Sequence, residues 1–254
     1  MSSEIDLPKI DVVYPVRPLA EGNSELRYSL RSVARNLPHR KVWVIGGEID
    51  WLSSIVEHIT APDNGKAFDN VNHKLMLAAE NPFISDPFIF MMDDVFVMKK
   101  QSRIPYFAIG QSLRERLQKY DKYGSYARDL QAAREVLWWA KKDEIDFEAH
   151  GPILFKKAGL KQILRKYPSS GHRRSLYCNF YKKRPTYTDD FKVYHAEDDP
   201  DGRLPYLSSA VESWRDGSKL YQLVTSTFSD VCHYEKTTML NTEEERWREQ
   251  EQGE

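Results

Sequence analysis

Two adjacent carboxylates, Asp93 and Asp94, interrupt the apolar run FIFMMDDVFV at positions 88–97. Ionised carboxylates in a would-be core are costly unless they are paired, protonated or holding a cation. Acids delivered at the end of an oily strand suit a divalent ion, because Mg²⁺ and Mn²⁺ take hard oxygen ligands and share them with substrate phosphates. Such an ion would neutralise charge on a departing diphosphate. A buried structural acid pair is the alternative reading.

Further chemistry is suggested in the segment DFEAHGP, where Asp146, Glu148 and His150 precede a Gly-Pro turn. A neutral imidazole serves as a metal ligand or as a general base, and either neighbouring acid could instead deprotonate an acceptor hydroxyl. Arg27 and Arg31 stand four residues apart, on one face of a helix, and guanidinium groups suit a diphosphate. From His150 to Thr188 there is no Asp or Glu, while Arg173, Arg174, Lys182, Lys183 and Arg184 fall among Tyr177, Asn179 and further aromatics. That segregation of charge predicts a basic surface for a polyanion, with aromatic rings available to stack on an exposed base.

These residues need a scaffold, and the pattern supplies one. IDVVYPV and KVWVI read as strands, Ile55–Ile59 as a third short one, and Phe88–Met92 as the strand leading to the acid pair. Pro15 predicts that the first strand ends there or lies at an edge. Between the strands, Ser24 caps a helix carrying Leu26, Leu30, Val33 and Leu37, and residues 69–79 form another. Strand and helix in alternation predict an α/β fold with a mainly parallel sheet, whose ligands lie at the carboxyl ends of the strands. The second half is more helical, with helices over 112–120, 126–140 and 156–167 and short strands at 153–155, 192–194 and 220–224. One domain in two halves is expected, 1–145 for binding a nucleotide sugar and 146–240 for acceptor binding and catalysis, followed by a charged tail over 241–254.

Composition sets the bounds. The 254 residues are 41% hydrophobic and 30% charged, with net charge -1, an ordinary balance for a soluble globular chain. No apolar run approaches the roughly 20 residues of a membrane span, and the polar, acidic start is not a signal peptide. The two cysteines, Cys178 and Cys232, read as free thiols of a reducing cytoplasm. A cytoplasmic monomer without a membrane partner is expected.

The series IDVVYPV, SELRYSLRSV, KVWVIGG, FIFMMDDVFV and FEAHGP resembles the Stealth-like sugar transferases. It also resembles related GT-A enzymes of phages that glycosylate hydroxymethylated pyrimidines in DNA. The likeness covers about residues 9–235. The MMDD turn superficially matches the YxDD turn of polymerases, but no second carboxylate strand accompanies it. The family resemblance implies a GT-A, Rossmann-like nucleotide-diphosphosugar fold and Mn²⁺ or Mg²⁺ as cofactor. It further implies a UDP-sugar donor, by family habit UDP-glucose, and a hydroxyl acceptor such as 5-hydroxymethylcytosine in DNA. On that likeness Tyr14 and Arg17 hold the base and ribose, and Asn70 and Lys74 meet the donor. Aligning MDD on the family's DxD leaves Met92 at the first acid, so Asp94 takes the metal, with His150 as a second ligand, and Asp93 touches the ribose or sugar. The segment 226–230 resembles the closing segment of these transferases. A Stealth-type sugar-phosphate transfer to polysaccharide, and a non-catalytic nucleic-acid-binding module, are the alternatives.

Overall fold

The computed structural model describes residues 6–17, 23–119, 124–168 and 170–236; the charged tail lies outside them. In chain order, β1 is Asp11–Val16, α1 Ser24–Asn36, β2 Val42–Gly46, β3 Glu57–Thr60, α2 Ala67–Glu80 and β4 Phe88–Phe90. Then come β5 Val95–Val97, β6 Tyr106–Ile109, α3 Leu113–Leu117, α4 Ser125–Trp139 and β7 Ile153–Phe155. The remainder is α5 Lys157–Lys166, α6 Arg173–Phe180, β8 Pro185–Thr188, β9 Lys192–Val193, β10 Tyr206–Ser209 and α7 Lys219–Thr227.

The main sheet has the order β3-β2-β1-β4-β7. Its first four strands are parallel and β7 runs antiparallel to β4. β1 and β2 are buried along their whole length, as expected of parallel strands covered on both faces. β7, from the second half of the chain, thus joins the sheet begun by β1.

β1 is central, not an edge, although it carries Pro15. Its residues face β2 and β4 alternately: the Val12 N–H bonds Lys41 on the β2 side, and the Val13 carbonyl accepts from Met91 N on the β4 side. Pro15, two residues after Val13, therefore turns its missing N–H toward β4, whose pairing has ended at Val13 and Phe90.

Two local expectations change. The cap of α1 is Asn23, one residue before Ser24, with Oδ1 accepting from Leu26 N at 2.9 Å. Residues 220–224 are helical: Ser218 caps α7, and buried Leu220 and Val224 are spaced four apart, on one helical face.

After β4 the chain turns at Asp93–Asp94 into β5, which pairs with β10, and β10 pairs in parallel with β9. The chain enters this small sheet directly from the carboxyl end of β4. β6 and β8 form a separate parallel pair. Among the described residues no helix is long and apolar enough to cross a membrane. Cys178 and Cys232 are free thiols.

Candidate active site

The carboxyl ends of β1, β2 and β4 meet at one edge. Their closeness depends on Gly46, where an added Cβ would lie 1.9 Å from the Val16 carbonyl oxygen. That carbonyl accepts from Lys74 Nζ at 2.6 Å, and the same ammonium bonds Asp63 at 2.5 Å. Lys74 is only 2% exposed, so it is a strut tying α2 to the end of β1, not a hand extended to a donor.

The acid pair sits on the turn between β4 and β5. Asp93 Oδ2 accepts from Asn23 Nδ2 at 2.6 Å, so the residue that caps α1 also holds this carboxylate. Burial, and then the neighbouring Asp94 charge, push the Asp93 carboxyl up; the Asn23 amide and the Arg17 charge oppose them only in part. Asp94 Oδ2 accepts from Lys192 Nζ at 2.8 Å and from Ser208 Oγ at 3.2 Å. Its backbone carbonyl accepts from Ser209 N at 2.9 Å, so β10 holds the turn. A third carboxyl joins them. Glu25, in the first turn of α1, accepts from Ser209 Oγ at 2.5 Å. Burial raises Glu25 to about 7, with the charges of Asp93 and Asp94 adding to that rise.

His150 precedes β7, with backbone φ of 21° in the left-handed region. Its Nδ1 donates to Asp190 at 2.8 Å, and Nε2 has no hydrogen-bond partner among the described residues. Asp190 also accepts from the Tyr194 hydroxyl at 3.2 Å and from Lys192 N. Burial would raise the Asp190 carboxyl, but the His150 hydrogen bond and charge outweigh it and hold it low. The pair fixes the imidazole with one nitrogen available, the arrangement a general base requires.

The other acids of this segment are occupied. Asp146 is fully buried and accepts from Arg116 at 2.9 Å and from Glu148 N. Glu148 accepts from Ser175 N at 3.0 Å. Burial alone would raise its carboxyl, but the charges of His172 and Arg174 reverse that and lower it. Of Asp146, Glu148 and His150, the two acids are thus engaged by Arg116 and by backbone N–H groups, and the histidine keeps one ring nitrogen without a partner among the described residues.

Several expected ligand-binding side chains are already engaged within the protein. Tyr14 is fully buried, its hydroxyl on Ser29 Oγ at 3.0 Å, and burial raises the phenol. Asn70 closes its own loop, accepting from Asn64 N and Gly65 N. Arg27 and Arg31 both bond Glu235, at 2.8 and 2.6 Å, and Arg31 also donates to the Phe228 and Ser229 carbonyls. The pair therefore clamps the C-terminal segment 228–235 to α1 instead of meeting a diphosphate. Arg17 alone of the expected donor-side cations stands exposed beside Asp93.

The basic segment is likewise divided. Arg173, Arg174, Tyr177 and Asn179 lie on buried α6 and present nothing to a duplex. Arg173 bonds Asn72 Oδ1 at 2.6 Å, and burial lowers its guanidinium to about 10. Arg174 donates to the Gly151 carbonyl and lies over the Phe90 ring. Tyr177 accepts from Lys156 N, and Asn179 bonds the Ile145 backbone at both its N–H and its carbonyl. Lys182 and Arg184 are exposed, and Lys183 lies over the rings of Tyr106 and Tyr177.

The side chains do not fit a ready-made divalent site. Among the described residues no three His, Cys, Asp or Glu side chains gather as ligands for one ion. Asp94 Oδ2 is taken by an ammonium and a hydroxyl and His150 Nδ1 by Asp190, which leaves Asp94 Oδ1 and His150 Nε2 without partners among the described residues, fewer side-chain ligands than a divalent ion takes.

Asn23, Glu25, Asp190, Lys192 and Ser208 were not singled out by the sequence. The TDDF at 188–191 repeats the acid-pair-then-apolar pattern of MDDV and could have marked Asp190. Lys192 carries no such signal; only the β9–β10 register places it.

No protein-family model matches the chain, and no curated protein matches it in sequence. Solved structures do. The galactosyltransferase LgtC in complex with donor and acceptor sugar analogues matches over 94% of this chain and 99% of its own, at 11% identity and a TM-score of 0.50. The apo-form glycosyltransferase GlyE of Streptococcus pneumoniae TIGR4 matches over 87% of this chain at 14% identity and a TM-score of 0.46. This chain spans 60% of the GlyE chain's length. The fold is that of the GT-A glycosyltransferases, a mixed α/β fold with a mainly parallel central sheet.

Proposed function

We propose that this protein is a glycosyltransferase that takes a nucleoside-diphosphate sugar and moves the sugar to a hydroxyl. One observation carries the reading. The acidic turn Asp93–Asp94 stands at the carboxyl end of β4 in a GT-A sheet, where nucleotide ligands of open α/β sheets bind. The donor diphosphate lies over the edge formed by β1, β2 and this turn, with Arg17 at its entrance. His150, oriented by Asp190, accepts the proton of the acceptor hydroxyl.

The finer reading is UDP-glucose as donor and 5-hydroxymethylpyrimidine in DNA as acceptor, with the protein in a cytoplasm. The sequence resemblance supports it, as does the exposed part of the basic segment: Lys156, Arg165, Lys166, Lys182 and Arg184, with Tyr187 63% exposed among them. A base flipped from the duplex would bring its hydroxyl to His150.

The test is an incubation with radiolabelled UDP-sugars, with and without Mn²⁺ or Mg²⁺, offering hydroxymethylated DNA, unmodified DNA and glycans. Label should enter hydroxymethylated DNA alone. Transfer to glycans only, or release of nucleoside monophosphate with sugar phosphate transferred, would replace the DNA acceptor with a Stealth-type reaction. DNA binding without hydrolysis or transfer of any donor would leave a non-catalytic module and overturn the proposal.

A further inference from the structure

We infer that Lys192 is the resident cation of this site, the group that meets the negative charge of the departing diphosphate in the place where a divalent ion would stand. The inference rests on the donor reading above.

The position of Lys192 is set by strand pairing. Ser208 lies in register with Val95 of β5 on one side and with Lys192 of β9 on the other. β10 therefore fixes the acidic turn and the lysine at once, and Ser208 Oγ and Lys192 Nζ converge on the same Asp94 oxygen, at 3.2 and 2.8 Å. Both partners of the ion pair are largely shielded, with side chains 18% and 19% exposed. An ammonium has three donors and no acceptor. Asp94 is the only hydrogen-bond partner of Lys192 Nζ among the described residues, so two donors remain for phosphate oxygens.

A divalent ion and this ammonium compete for one carboxylate. Mg²⁺ and Mn²⁺ need several hard oxygen ligands at short range, and on Asp94 they would find only Oδ1 without a partner among the described residues, on a carboxylate whose charge Lys192 already balances at Oδ2. The ammonium already supplies a fixed positive charge and directed N–H groups. In the transfer, the bond between sugar C1 and the β-phosphate oxygen breaks with both electrons going to that oxygen. The acceptor oxygen forms the new bond to C1, and its proton passes to His150 Nε2. Charge therefore accumulates on the diphosphate as the bond breaks, and a donor fixed in advance at that point lowers the barrier.

The test combines binding and turnover in EDTA. Calorimetry with UDP, GDP and ADP should show metal-free binding of one of them to the wild-type protein. Lys192→Ala should weaken it at least 10-fold, and Lys192→Arg should retain most of it. Donor hydrolysis or transfer in EDTA should fall about 10²–10³-fold in Lys192→Ala. Mn²⁺ titrated with nucleotide and followed by electron paramagnetic resonance should bind more tightly to that variant than to the wild type, because Asp94 has lost its counter-ion and the diphosphate supplies further oxygen ligands. Circular dichroism and the melting temperature of the arginine variant guard against a folding defect. If the wild type binds nucleotide only with Mn²⁺, or Lys192→Ala binds it as well as wild type in EDTA, the inference falls and the donor reading stands. If no nucleotide binds with or without Mn²⁺, the donor reading itself falls, and this inference with it.

Discussion

Replacing Glu235 should loosen the whole C-terminal segment. Its side chain is 1% exposed and accepts from Arg31 Nε at 2.6 Å, Arg31 Nη2 at 2.9 Å, Arg27 Nη1 at 2.8 Å and Cys232 N at 3.2 Å. Glu235→Ala strands the Arg31 guanidinium, itself 8% exposed, and breaking a buried pair from one side costs about 3–5 kcal/mol. The Arg27 arm is 35% exposed and is worth no more than about 1 kcal/mol. Urea denaturation should therefore show Glu235→Ala and Arg31→Ala losing comparable stability at unchanged m-value, and Arg27→Ala losing little. The double variant should lose less than the sum of the two single ones. Burial alone would raise the Glu235 carboxyl, but the Arg31 bonds and the Cys232 N–H lower it. Its contribution to stability is thus present above the ordinary glutamate range and is lost as pH falls through the lowered value. If instead Arg31→Ala keeps the wild-type midpoint and abolishes nucleotide binding, the clamp is the wrong account and the sequence expectation of a diphosphate ligand is restored.

Gly46→Ala must open the β1–β2 edge by at least 3.0 − 1.9 = 1.1 Å to reach a tolerable contact with the Val16 oxygen. A loss of about 2–3 kcal/mol is expected by chemical denaturation, and a loss under about 0.5 would refute the close approach. Glu25, raised to about 7, favours the fold below the ordinary glutamate range and loses that advantage as pH rises through 7. Glu25→Gln should therefore gain stability over wild type between pH 5 and pH 8, by about 1–2 kcal/mol after allowance for solvent screening; parallel pH–stability curves would refute it. On the proposed reaction, His150→Ala should lower kcat by about 10²–10⁴ with nucleotide affinity unchanged, and equal losses in affinity and rate would place His150 in donor binding.

The parallel sheet was legible because its strands are short apolar runs bounded by Gly, Pro and polar loops, and α1 because Leu26, Leu30, Val33 and Leu37 mark one face. The acid pair was legible as a site because two charges in an oily run need a partner. What was not legible was the partner. Lys192 lies 98 residues from Asp94, and Glu235 lies 204 from Arg31. Neither pairing leaves a local pattern, because each is made by the register of distant elements. For the same reason Arg27 and Arg31 looked like free cations, and the acid-free run 150–188 looked like one basic surface. Arg173 and Arg174 instead lie in the interior near Glu148, which precedes that run and whose charge opposes their desolvation. Separation of charge along a chain is not separation of charge in space.

The site's charge balance bears on what the acidic turn is for. Glu25, Asp93 and Asp94 would together carry three negative charges at the edge where an anionic diphosphate is proposed to bind, an arrangement that by itself repels the donor. The fold gives each carboxyl a different remedy. Glu25 is raised to about 7, so it carries a proton for part of the neutral range. Asp93 is raised and rests on the neutral Asn23 amide. Asp94 has a full cation in Lys192. The motif FIFMMDDVFV therefore need not be a bare cage waiting for a metal. With Glu25, its two acids are already compensated one by one, by a proton, an amide and an ammonium, and the last of these is a charge that can face a phosphate while it holds the turn.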